Sequence, residues 1–167
     1  MFPGPIVAIP VPAYVGVFGK REEGSVAQRK ASAKWEGDLF EGDGTVSAVS
    51  TGLFTDAPVS WPARTDDQAG GKTSPEELIA AAHAACFCMA LSNELSSRGN
   101  PPTLVEVQAT CTFEPPKITM VDLVVAATVP GADEAAFREA LSAAEGSCPV
   151  SNALRGSVTI NVDGRLS

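Results

Sequence analysis

The stretch Ser74–Arg98, S-P-E-E-L-I-A-A-A-H-A-A-C-F-C-M-A-L-S-N-E-L-S-S-R, constrains this chain more than any other. Ser74 stands where a helix N-cap belongs, Pro75 fits the first helical position, and Glu77 completes a capping-box spacing. Gly99, Asn100 and two prolines then stop the helix. Between Leu78 and Leu91 the only strongly polar side chain is His83. A helix that is apolar all round has to be covered all round. The apolar run is shorter than the roughly 20 residues needed to cross a bilayer. The expectation is therefore a central helix wrapped by a sheet, by a second copy of the chain, or by both.

The surrounding sequence supplies the wrapping. Gln28–Glu36 alternates, with Ala31, Ala33 and Trp35 on one face, and reads as a half-buried strand. Gly42-Asp43-Gly44 is a turn signal, and Thr45–Phe54 reads as the second strand of a hairpin. Residues 55–72 show no clean period and read as a long loop, the kind that often carries function. Arg64 is the only basic residue between Lys34 and Lys72. Val105, Val107, Ala109, Cys111 and Phe113 alternate with polar residues in the clearest strand of the chain, and Val121–Val129 continues as its antiparallel partner. Asp133–Glu145 is amphipathic, with Phe137, Ala140, Leu141 and Ala144 on one stripe. A short helix starts at Cys148-Pro149, and Val158, Ile160 and Val162 make a last strand.

The expected order is β-β-α-β-β-α-β, an α+β fold of antiparallel sheets around one long apolar helix. A single small sheet covers only one side of such a helix, so a homodimer is expected. Residues 1–27, with prolines at 3, 5, 10 and 12, read as a poorly ordered extension ahead of one domain over residues 28–167. The formal charge of −8, without a Lys/Arg cluster, argues against nucleic acid and anionic membranes as partners. Four irregularly spaced cysteines do not make a disulfide scaffold. With no secretory leader legible, the expected compartment is the cytoplasm, where a cysteine pair is more often redox-active than structural.

Two thiols stand out. Cys86 in mid-helix is either a small buried hydrophobe or a reactive group. His83 lies one turn earlier on the same face, which leaves a Cys86–His83 dyad open. Cys88 points about 200° away from Cys86, so the two cannot pair and no metal set is evident. Cys148, at a helix start before Pro149, meets free backbone N–H groups that favour a thiolate. Cys111 reads as core. Glu77 serves the cap, whereas Glu76 is free to point elsewhere.

The helix motif, the C-P-V-S-N-A-L that follows 62 residues after Cys86, the A-K-W-E-G-D at 33–38 and the G-T-V-S at 44–47 closely resemble the osmotically inducible protein C / organic hydroperoxide resistance (OsmC/Ohr) family, its OsmC branch in particular. The resemblance covers residues 28–167. It implies an intertwined homodimer and a thiol peroxidase of oxidative or osmotic stress defence that reduces organic hydroperoxides. It further implies Cys86 as the peroxidatic and Cys148 as the resolving cysteine, Arg64 and Glu76 as active-site partners, a dithiol or lipoyl-type reductant, and no metal or other cofactor. A non-catalytic binding protein of the same fold and a Cys86–His83 hydrolase are the competing readings. Helix geometry adds one expectation. Glu76 and Cys86 are about 15 Å apart along a straight helix, so one site would draw on both chains.

Overall fold

The computed structural model describes residues 26–66 and 69–167, so the expectation for the N-terminal extension lies almost wholly outside the described residues. The strands form two three-stranded sheets, of which the second packs on the central helix. The first comprises β1 (Ser32–Glu36), β2 (Asp43–Ser47) and β3 (Ala57–Ser60), all antiparallel. A short α1 (Pro62–Thr65) leads to α2 (Pro75–Ser97), the long apolar helix. β4 (Leu104–Glu114) and β5 (Lys117–Thr128) form an antiparallel pair, α3 (Glu134–Ser147) and α4 (Pro149–Leu154) follow, and β6 (Thr159–Leu166) closes the second sheet. β6 runs parallel to β5, because the chain returns to it across α3 and α4.

The caps form much as the sequence indicates. The Ser74 hydroxyl accepts the Glu77 N–H at 3.1 Å. The Glu77 carboxylate, expected to close the capping box, instead takes the Thr73 hydroxyl. Gly99 ends α2 at φ +84°, a conformation open to glycine at little cost. Asp133 caps α3 by accepting the Ala136 N–H at 2.8 Å.

The core lies between α2, α3 and the inner face of the second sheet. Phe87, Leu91 and Leu95 of α2 meet Val121, Leu123, Val125 and Ala127 of β5 and the anticipated α3 stripe, all buried. Gly164 of β6 lets α3 approach the sheet, since a Cβ there would lie 2.6 Å from Leu141 Cδ1. At 23 residues α2 is longer than its apolar run, so helix length alone does not set it apart from a membrane span. The buried stripe Glu76, His83, Phe87, Ala90, Leu91 and Leu95 marks it as a core helix.

Three expectations need correction. The second strand stops at Ser47, not Phe54. The supposed loop at 55–72 contains β3 and α1; β3 has only four residues and includes Pro58, too little for alternation to show. β1 is exposed at every position, Trp35 included at 40%, so its apolar face is not buried by the described residues. The same holds for one face of α2, where Ala82 and Ala85 are exposed and Met89 is 65% exposed.

Candidate active site

Two clusters form, one at each end of the N-terminal half of α2. At its start, Glu76 turns inward and is almost fully buried. Arg64, carried by α1, grips it from two sides, with Nε at 3.1 and 3.2 Å from the two carboxylate oxygens and Nη2 at 2.7 Å from Oε1. The guanidinium also lies 4.3 Å from the Phe113 ring centroid and 5.4 Å from that of Trp61. Fork geometry and aromatic faces together fix its plane, which lysine could not reproduce. Cys111 of β4 is in the field of this carboxylate; burial pushes its thiol up and Glu76 adds to that. Beside the pair, Trp35, Leu39, Val59, Ser60, Trp61, Arg64 and Pro75 enclose a cleft of about 270 Å³.

The second cluster lies near the middle of α2. Cys86 and Cys148 are hydrogen-bonding neighbours, although 62 residues separate them, and both are free thiols. Cys148 occupies the N-cap of α4 and has no exposed surface; Cys86 is half-buried. Burial pushes the Cys86 thiol up, Cys148 adds to this, and the Val150 N–H opposes it. Burial pushes Cys148 up as well, but the neighbouring His83, Ser151 and Cys86 outweigh it and bring the thiol down to about 6.

His83 is fully buried, with Nε2 2.8 Å from Ser151 Oγ. It faces Cys148 and not Cys86, so the Cys86–His83 dyad is not formed. Sequence reasoning missed this association, because helix spacing shows only what lies on α2 and not what α4 brings to it. Cys88 turns away as its spacing requires, donating to the Val105 carbonyl at 3.7 Å.

The candidate residues thus fall into two pairs. Arg64 binds Glu76, and Cys86 meets Cys148. In a continuous α2 ten residues separate Glu76 from Cys86, about 15 Å of helix. Arg64, expected as the cation beside Cys86, is not among the groups acting on that thiol within its own chain. Among the described residues no cluster of three His, Cys, Asp or Glu side chains is gathered as a metal site would need.

A long apolar helix packed on one of two small sheets, with a cysteine in mid-helix beside a second cysteine at a helix cap, defines an OsmC-like protein. The chain belongs to that family, whose pattern matches residues 66–163. It is 39% identical over 137 residues to the peroxiredoxin OsmC of Escherichia coli K12, spanning 80% of this chain and 94% of that protein. It is 32% identical over 120 residues to the organic hydroperoxide resistance protein of Xanthomonas axonopodis pv. citri, spanning 69% and 82%. Among solved structures, the organic hydroperoxide resistance protein OhrB of Bacillus subtilis superposes with a TM-score of 0.59 at 26% identity over 81% of this chain and 98% of its own. The corresponding protein of Elizabethkingia anophelis gives a TM-score of 0.67 at 23% identity, over 86% and 99%.

Proposed function

We propose that the chain is a cytoplasmic, homodimeric thiol peroxidase that reduces organic hydroperoxides to alcohols in stress defence. The observation that carries this reading is the Cys86–Cys148 contact. The Cys86 thiolate attacks one peroxide oxygen, the O–O bond breaks, an alcohol leaves after taking up a proton, and Cys86 becomes a sulfenic acid. Cys148 then attacks that sulfur, water departs and a Cys86–Cys148 disulfide remains. A small dithiol of lipoyl type reduces it by exchange. No metal or other cofactor takes part.

Among the described residues of one chain no cation acts on Cys86, and burial alone would keep it protonated. The partner chain supplies Arg64 and Glu76. The uncovered apolar face of α2 at Ala82, Ala85 and Met89, and the uncovered first sheet, support such an intertwined dimer. A guanidinium held flat by Glu76, Phe113 and Trp61 is preorganised to hold a thiolate and to polarise the peroxide. The adjoining aromatic cleft gives an alkyl chain an apolar wall, which favours organic peroxides over hydrogen peroxide.

The test is peptide mass spectrometry after one equivalent of cumene hydroperoxide. A Cys86–Cys148 crosslink is the expected product, and Cys148→Ser is expected to leave a Cys86 sulfenic acid that dimedone traps. An unmodified Cys86 in a protein that still consumes peroxide refutes the assignment.

A further inference from the structure

The peroxidase cycle assigns no task to His83 or Ser151, yet both are completely buried beside Cys148. A buried imidazole is costly unless its polar atoms are used. Here Nε2 is bonded to the Ser151 hydroxyl, while Nδ1 is enclosed without a hydrogen-bond partner, the one such buried side-chain atom among the described residues. Ser151 lies on the first turn of α4, the helix that Cys148 caps, so the imidazole bonded to it stands beside that thiol. The three groups come from two elements, His83 from α2 and the other two from the start of α4, so tertiary packing and not helix spacing assembles them.

Resting on the peroxidase reading above, we infer that His83 is the proton acceptor of the resolving thiol, with Ser151 as the positioning residue that fixes the imidazole against Cys148. The Cys148 S–H proton passes to the ring, leaving a thiolate beside an imidazolium. The thiolate electron pair forms the bond to the Cys86 sulfur as the Cys86 S–O bond breaks. The departing hydroxide takes the imidazolium proton and leaves as water, which returns His83 to neutral. The only oxidant consumed is the hydroperoxide that made the sulfenic acid. The division of labour is asymmetric: Cys86 depends on a cation from outside its own chain, whereas the resolving thiol carries its own base.

The groups facing the Cys148 sulfur are His83 and Cys86 from α2 and Ser151 from α4. Glu145 of α3 and Arg155, which follows α4, pair with each other at 2.8 Å. Among the described residues no carboxylate or guanidinium acts on the Cys148 thiol.

The experiment is a pH titration of the Cys148 thiolate by its ultraviolet absorbance, taken as the difference between Cys86→Ser and Cys86→Ser/Cys148→Ser proteins, so that no reagent has to reach the buried sulfur. That measurement needs no peroxide. The parent midpoint is expected below the ordinary thiol value. His83→Asn and His83→Gln are each expected to raise it by at least about one pH unit, and Ser151→Ala by part of that. For one unit the thiolate fraction at acid pH falls about tenfold. A merely structural role would lower the melting temperature without moving the midpoint. An unmoved midpoint in both His83 variants, with thermal melting showing them folded, overturns the inference.

In the chain with Cys86 present, His83→Asn is expected to leave sulfenic acid formation intact and to let the sulfenic acid persist before the disulfide closes. If the parent forms no sulfenic acid, the peroxidase reading falls, while the thiolate titration still decides the role of His83.

Discussion

A complementation experiment tests most directly whether each site is shared between chains. Arg64 is locked to Glu76 at the start of α2, and ten helical residues, about 15 Å, separate Glu76 from Cys86. If the partner's Arg64 serves each Cys86, a heterodimer of Cys86→Ser with Arg64→Ala has one site with both groups intact and one with neither. Each homodimer lacks one essential group at both sites. Losing a preorganised cation at the reacting sulfur costs roughly 10²–10³ in rate, so both parents are close to silent. Co-expression with two affinity tags and sequential purification isolates the heterodimer. Cumene hydroperoxide turnover with a dithiol reductant is expected to recover to about half the wild-type rate per dimer. A heterodimer as inactive as its parents refutes the shared site and puts Arg64 and Cys86 of one chain in the same site.

Two further outcomes follow from burial and charge. Met89→Asp puts a carboxylate on the uncovered face of α2 without touching the buried stripe, so sedimentation should show a monomer and peroxidase activity should vanish. In that monomer the Cys86 thiol, raised above its ordinary value by burial, is protonated at neutral pH; its alkylation should climb only in alkaline solution, whereas in the dimer Arg64 brings the rise to lower pH. Phe87→Ala opens a cavity at a fully buried position and should cost about 3–5 kcal/mol in urea unfolding, a large share of the roughly 5–15 kcal/mol typical of a domain.

The central helix was legible because its signals are local. A serine cap, a proline at the first position and a glycine past the end lie within the stretch they delimit. The same is true of β4, whose alternation runs unbroken, and of Cys148 at the cap of α4. What escaped the sequence is set by distant partners. β3 exists because Asp43–Val46 of β2 offers it a ladder, and four residues containing Pro58 carry no pattern of their own. β1 shows a clear alternation yet has neither face buried, because none of the described residues covers it. Cys86 and Cys148 were matched by family resemblance, and the fold brings them together. The attachment of His83 to Cys148, 65 residues on, left no trace in spacing along α2.

If the proposed Cys86–Cys148 disulfide forms, the unequal coverage of the two sulfurs decides how it opens. Cys148 is sealed off completely, while Cys86 keeps part of its surface. An arriving dithiol would strike the outer sulfur and expel the inner one. Expulsion is fastest for the sulfur that best tolerates negative charge, and the lowered Cys148 thiol is that one. The direction of electron entry would then follow from which sulfur the fold hides.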